Sequence, residues 1–318
     1  MWKMEKTISR FKHRYCNIYD EEFAKLVPGS MWSSIDLLSI FQSTYNCSLK
    51  ILLIYRNKTI VASLPLFYKT AFRIDYIFNP LQYYYYHISY YFAEKEKELR
   101  NRQMRNDIMS YIAILLGKDF RKLELKLSTA TYDIRPFQID KYLIKPLYTF
   151  ILDTSVRDYN NNQLTHIRRA ETFDLKITND FHLDESLTIL GNRFEQKGIW
   201  GNERAELYNA LMEKISTRDY IKNYSVYHNS KLVAFRMVLL DSLNSVAYDW
   251  FTASNKFAMD NGINSYLLDY IIKDLEGMGI KKYDLCGANV PTVAKFKNDF
   301  GGELNIYFFI QKKIANFI

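Results

Sequence analysis

The chain has 318 residues, 48% of them hydrophobic, which is enough for two domains that each bury a core. Its net charge of +8 favours an anionic partner, although an ordinary basic surface explains that excess equally well. Lysines and arginines form no long run, so the composition does not support DNA binding. The three scattered cysteines exclude a disulfide framework and a structural zinc site.

The N-terminal residues lack the apolar core of a signal peptide. No apolar run approaches the roughly 20 residues that a membrane-spanning helix needs. The sequence therefore predicts a cytoplasmic protein without a transmembrane segment.

The first half contains the elements of one α/β domain. An aromatic stretch at 74–92 includes four consecutive tyrosines, and core packing explains it better than an aromatic wall for a sugar or peptide. The spacing of apolar residues predicts a helix, a hairpin, a second helix and a strand, at 30–45, 48–67, 94–116 and 121–127.

Lys145 and Pro146 mark the predicted boundary, so the predicted domains are 1–144 and 145–318. Asn264 is the predicted N-cap of a long helix over 265–277. The other elements expected in this half are strands at 147–152, 175–178, 245–251 and 304–311, helices at 164–173, 184–196 and 203–217, and a hairpin at 222–240.

Two segments of the first half recur in the second half in the same order. Residues 54–62 align with 226–234, and residues 120–125 align with 280–285. We therefore expect two copies of one α/β fold with mixed sheets, and a functional cleft between the halves.

The segment 281–302 combines a strand, a polar turn and a short helix. Residues 281–285 alternate as a buried strand does, and Gly287, Asn289 and Pro291 interrupt it. The following helix, 290–299, presents Phe296 and Lys297 and ends at two glycines.

This segment also resembles a known family. Its Tyr283-Asp284-Leu285-x-Gly287 motif and its Phe296-Lys297-x-x-Phe300-Gly301-Gly302 motif are similar to the closing segment of the FemABX peptidyltransferases and of the BioF2/CelD-like GNAT acyltransferases. The resemblance implies tandem GNAT (acyl-CoA N-acyltransferase) domains. It also implies transfer of an acyl or aminoacyl group to an amine of a cell-envelope precursor, either peptidoglycan or polysaccharide.

The resemblance further implies site residues. Residues matching Arg204, Tyr208 and Tyr248 hold a nucleotide-linked muramyl peptide in the family, together with a lysine that matches Lys297. We assign Lys297 and Tyr248 as catalytic residues, and Arg204, Tyr208, Phe296 and Asn289 as substrate contacts. Lys297 would counter the charge on a tetrahedral intermediate or a diphosphate, and Tyr248 would hydrogen-bond the acceptor or relay a proton.

Structural roles remain open for the same residues. Lys297 reads equally well as a solvated lysine, and Arg204 as a member of a surface ion pair. Core packing is the default role for Phe296 and Tyr248. No side chain is an obvious general base.

The donor is left open between acyl-CoA and aminoacyl-tRNA. The turn at 254–265 has one glycine, Gly262, where the acyl-CoA signature has two, and Asp260 would place a negative charge beside a phosphate. No cofactor and no metal site are therefore assigned. The alternatives are an acyl-CoA-dependent N-acyltransferase acting on an amino sugar or small amine, and a non-catalytic tandem-GNAT binding module.

Overall fold

The computed structural model describes residues 9–92, 98–131, 133–195, 198 and 201–313. The chain divides into two compact units, which separate between Leu147 and Tyr148. The last strand returns to the first unit from Ile306 onward. The boundary predicted after residue 144 stays a prediction about domains, and the return of the last strand did not follow from the sequence.

The first unit is a mixed sheet with helices. Its strand order is β1-β2-β3-β4-β6, followed by the end of β13, and β5 pairs with β3. The strands are β1 (Lys12–Cys16), β2 (Ser48–Arg56), β3 (Thr59–Ala71), β4 (Ile74–Ile77), β5 (Ser89–Tyr90), β6 (Lys122–Leu127) and β13 (Glu303–Lys312); the helices are α1 (Glu21–Ala24), α2 (Ile35–Thr44), α3 (Glu98–Asp119) and α4 (Arg135–Ile139).

The helix predicted over 30–45 is split in the structure. Residues 31–33 form a 3₁₀ turn, and α2 begins only at Ile35 because the Ser34 side chain accepts the Leu37 N–H as an N-cap. The aromatic stretch is core, as interpreted. Tyr83 and Tyr86 are fully buried, and their hydroxyls donate to the Trp32 and Phe78 carbonyls at 2.5 and 2.6 Å.

The second unit also has a mixed strand arrangement, in the order β7-β12-β11-β10-β9-β8. Its strands are β7 (Leu143–Asp153), β8 (Leu175–Thr178), β9 (Ile221–His228), β10 (Lys231–Asp241), β11 (Val246–Ser254) and β12 (Lys282–Asp284). Its helices are α5 (Asn161–Ala170), α6 (Leu183–Glu195), α7 (Asn202–Ile215), α8 (Lys256–Asp260), α9 (Ile263–Gly277) and α10 (Pro291–Asn298).

The two units repeat one topology. In the first unit, β1, β2, β3 and β4 pair antiparallel in sequence, and β4 then pairs parallel with β6. In the second unit, β8, β9, β10 and β11 follow the same pattern, and β11 pairs parallel with β12. The hairpin turns agree too, since both central residues have positive φ at Asn57-Lys58 and at Asn229-Ser230. The predicted α/β fold in two copies is therefore present.

The long helix of the second unit starts earlier than predicted, and Asn264 is not its N-cap. The N-cap of α9 is Gly262, with φ +76°. A Cβ at this position would lie 2.3 Å from the His166 carbonyl oxygen, so only glycine fits. The Asn264 side chain instead donates to Ser254 Oγ at 2.9 Å.

Candidate functional site

The parallel strands β11 and β12 pair over a short stretch and then diverge. They pair only from Val246 to Tyr248 against Lys282 to Asp284, and β11 then continues to Ser254 paired with β10 but not with β12. The chain after β12 turns away and leads into α10. A ligand-sized opening therefore forms beyond the carboxyl end of a parallel strand pair, where open α/β sheets bind their ligands.

A cavity of about 340 Å³ occupies this opening, within the second unit. That volume is at the small end of the range for ligand sites in proteins. The described residues that line it come from β11, from the start of α9, from α10 and from single positions on α5, α6, α8 and β10. They are Asp249, Thr252, Ala253, Ser254, Met259, Gly262, Asn264, Ser265, Thr292, Val293, Phe296, Lys297, His166, Arg193 and Arg236.

Two of the predicted site residues, Phe296 and Lys297, line this cavity. The Phe296 ring is half-buried and lies 5.3 Å from the Phe300 ring. Lys297 is buried, and its ammonium donates to the carbonyls of Leu285, Cys286 and Gly287, the last two at 2.8 and 2.7 Å. Its predicted alternative role as a solvated lysine does not fit this burial.

The ammonium of Lys297 organises the loop after β12. All three of its hydrogens have carbonyl acceptors, and Cys286 and Gly287 both have positive φ. Burial lowers the pKa of Lys297, and this outweighs the opposing effect of Asp249. Lys297 therefore holds the loop in place and contributes its charge to the cavity wall.

The same loop is held from its other side. The Asp284 carboxylate accepts from Thr149 Oγ1 at 2.5 Å and from the Cys286 N–H at 2.9 Å. Asn289, predicted to contact substrate, is exposed, and its Oδ1 accepts from the Tyr148 N–H at 2.9 Å. Burial raises the pKa of the Cys286 thiol well above its ordinary value, so this cysteine is not poised as a nucleophile.

A buried ion pair forms the inner wall of the cavity. Arg236 on β10 donates to the Asp249 carboxylate on β11, and Tyr283 donates to the same carboxylate at 3.2 Å. Burial alone would lower the pKa of Arg236, but Asp249 and Tyr283 outweigh it, and the pKa is raised. A bulge in the β10–β11 pairing adjoins this pair, since Met237 lies opposite Phe251 and Val238 opposite Asp249.

Arg204 and Tyr208 lie on α7 and do not line the cavity. The Tyr208 ring is buried between Phe194 and Phe251, at centroid distances of 5.7 and 5.6 Å. The Arg204 guanidinium lies 5.9 Å from the Phe194 ring centroid, so the two residues share one helix face as their spacing indicates. Their roles as substrate contacts stay predictions.

Tyr248 is half-buried on β11, opposite Leu239 and Asp284. It does not line the cavity, and its catalytic role also stays a prediction. Arg193, Arg236 and Asp249 were missed as site residues from the sequence. The available signal was Arg236, a single charged residue inside the apolar run of β10.

The first unit has a larger cavity, of about 720 Å³. Its described lining includes Tyr90, Arg102, Arg105 and Arg135. Arg135 is tied to the Asp133 carboxylate by two hydrogen bonds, at 2.9 and 2.6 Å.

Among the residues described, none of the helices combines the length and the apolar character that crossing a membrane requires. Within those same residues, no three His, Cys, Asp or Glu side chains group as metal ligands.

Comparison with known proteins distinguishes the two cavities, because the matched family covers the lining of only one of them. The family model for the acetyltransferase (GNAT) domain matches residues 162–298, a range that contains every lining residue of the cavity in the second unit. No curated protein matches the chain.

Several solved structures share the fold. The crystal structure of FemX has a TM-score of 0.59 at 10% identity, covering 86% of this chain and 90% of that one. A tandem GNAT protein from the clavulanic acid biosynthesis pathway has a TM-score of 0.53 at 11% identity, covering 94% and 98%. A GNAT-family acetyltransferase from Colwellia psychrerythraea has a TM-score of 0.50 at 14% identity, covering 94% and 99%. The chain therefore has a tandem-GNAT fold like that of FemX, and its residues 162–298 match the model of the acetyltransferase (GNAT) domain.

Proposed function

We propose that the second unit is an N-acyltransferase, which moves an acyl or aminoacyl group from an activated ester or thioester to an amine of a cell-envelope precursor. One observation supports this most directly. The cavity at the divergence of β11 and β12 lies within the matched GNAT domain, and three cationic side chains line it. The likeness of the fold to FemX motivates the choice of acceptor.

The reaction needs an oriented amine and stabilisation of a developing oxyanion. The amine nitrogen attacks the donor carbonyl carbon, the carbonyl oxygen becomes an oxyanion, and the carrier oxygen or sulfur leaves as the amine loses a proton. The positive charge of Arg236 and Lys297 favours negative charge in the cavity. The Ser254 hydroxyl accepts from Asn264, which leaves its own hydrogen free to be donated.

A variant that blocks the cavity tests this proposal. Thr292 is exposed on α10 and lines the cavity, whereas Lys295 is exposed on the same helix and does not. The protein is incubated with acetyl-CoA or with mixed aminoacyl-tRNA, and with a UDP-linked muramyl peptide or glucosamine as the amine, and acylated amine is measured by mass spectrometry. We expect transfer by the wild type and by Lys295→Trp, and loss of transfer in Thr292→Trp.

Equal transfer by Thr292→Trp and Lys295→Trp would place the chemistry outside this cavity. No transfer by the wild type with any of the four donor and acceptor pairs would overturn the proposed function for these substrates. Thermal unfolding of both variants checks that neither tryptophan disturbs the fold.

A further inference from the structure

The charges that face the cavity of the second unit do not balance. Three cationic side chains line it, Arg193, Arg236 and Lys297, against one carboxylate, Asp249. The Lys297 ammonium already donates hydrogen bonds to three carbonyls. The two guanidiniums are therefore the cationic groups that can donate hydrogen bonds to a ligand. An arginine stays charged even when it is buried.

Arg236 lines the cavity and has one buried donor without a partner among the described residues. Its side chain is only 6% exposed, and Nη1 is engaged by Asp249. Its Nε has no hydrogen-bond partner among the residues that the structure describes. A buried N–H without an acceptor is unfavourable, so a ligand oxygen that reaches this donor would be stabilised.

Arg193 is the second guanidinium and lies on α6. In the described part of the chain no acidic side chain pairs with it, and its one hydrogen bond runs to the thioether sulfur of Met259, a weak acceptor. Burial, and then the charge of Arg236, lowers the pKa of Arg193. Two guanidiniums close enough to repel each other therefore line one small cavity.

We propose that Arg193 and Arg236 form a binding site for an oxyanion, a carboxylate or a phosphate, carried by one of the substrates. This deepens the proposed function, on which it rests for the identity of the ligand as a substrate. Arg193 presents the guanidinium fork that matches a planar oxyanion, and the Arg236 Nε–H adds one further donor from the interior. Val293 and Phe296 give the remainder of the ligand an apolar contact.

Calorimetry with small probes tests the site directly. The probes are succinate and inorganic phosphate, which separate the two sources of an oxyanion, and succinamide, which is the uncharged counterpart of succinate. We expect the wild type to bind at least one of the two anions and not succinamide. We expect Arg193→Gln to weaken that binding about 10-fold to 100-fold. Arg193→Lys retains the charge without the fork, and should restore part of the loss.

The matched control is Arg218→Gln, which removes the same charge from an exposed position of the same unit that does not line the cavity. It should bind as the wild type does. Equal binding by Arg193→Gln and Arg218→Gln, binding of succinamide as tight as succinate, or no binding of either anion would each overturn the oxyanion site.

The transfer assay distinguishes this failure from failure of the proposed function. Anion binding that depends on Arg193, without transfer of any acyl group, leaves the site standing and removes the acyltransferase. Transfer that is unchanged in Arg193→Gln and is not inhibited by either anion leaves the acyltransferase and removes the site.

Discussion

Lys297 shows how one residue can satisfy a family pattern and a structural need together. The resemblance placed a lysine here for chemistry, and the structure places its ammonium among three backbone carbonyls. A buried ammonium is tolerated only when acceptors replace the lost water, and these carbonyls do so. Its loss is therefore expected to affect stability as well as any transfer activity.

Lys297→Met keeps the aliphatic stem and removes the three hydrogen bonds. We expect the free energy of unfolding to fall by about 1–3 kcal/mol, because the loop carbonyls lose their donor while the cost of burying the ammonium is also removed. Urea unfolding measures the change. Lys295→Met is the control, since Lys295 is exposed and forms a surface ion pair with Asp299, and should change the value by less than about 0.5 kcal/mol. Equal values for the two variants would contradict the structural role of Lys297.

Gly262 carries a second prediction at the scale of single residues. Gly262→Ala should lower the free energy of unfolding by at least about 1 kcal/mol, because φ is +76° and the added Cβ would meet the His166 carbonyl oxygen. Gly277→Ala is the matched change, at the other end of α9. A Cβ at Gly277 meets nothing within 4 Å, so stability should stay the same or rise slightly.

Thermal unfolding of the two alanine variants, measured side by side, gives the answer. A Gly262→Ala protein as stable as Gly277→Ala would show that the start of α9 can move away from α5 without cost.

At the scale of elements, polar contacts fasten helix α9 to strand β9. The Asp274 carboxylate accepts from Tyr224 at 2.6 Å and pairs with Lys222 at 2.9 Å. Burial alone would raise the pKa of Asp274, but these two partners outweigh it and lower the pKa below its ordinary value of 3.8. The unfolded state therefore binds a proton more readily than the folded state does.

The contribution of the charged Asp274 carboxylate to the stability of the fold is complete above pH 3.8. It is lost as the pH falls through the lower pKa that Asp274 has in the folded protein. We expect the stability difference between wild type and Asp274→Asn to be largest at neutral pH and to shrink below pH 3.8. Urea unfolding at several pH values checks this. Asp260→Asn, which breaks an exposed ion pair with Lys256, should show a small difference throughout. A stability difference between wild type and Asp274→Asn that grows as the pH falls would contradict the stabilising role of the Asp274 carboxylate.

The elements themselves were predictable where one local signal dominated. The hairpins around residues 57 and 229 follow from apolar runs broken by polar turns, and they were predicted close to their observed ends. The sequence did not show that Ser34 would cap α2 or that Gly262 would start α9. Both depend on a contact that a pattern of apolar residues does not encode.

The sequence predicted some of the residues that line the candidate site and missed others. Phe296 and Lys297 were identified and line the cavity, because their motif lies in one continuous segment. Arg193 and Arg236 were missed because they come from a helix and a strand more than 40 residues apart in sequence, and only the folded sheet brings them to one wall.

At the scale of the whole molecule, one strand pattern occurs twice and the two copies have diverged. Each unit has three antiparallel pairings followed by a parallel one, and each has a cavity lined by arginine. Each cavity has one arginine whose buried Nε lacks a partner among the described residues, Arg105 in the first unit and Arg236 in the second. Of these two cavities, the one in the second unit lies in the matched GNAT domain. We therefore assign the proposed chemistry to the second unit.

A crystal structure of the protein grown with an acyl donor tests that assignment most directly. We predict electron density for the acyl group between β11 and α10, beside Thr292 and Phe296, with an oxyanion of donor or acceptor at Arg193 and Arg236. Donor density that instead occupies the cavity beside Arg102 and Arg105 in the first unit, and leaves the second unit without any, would contradict it.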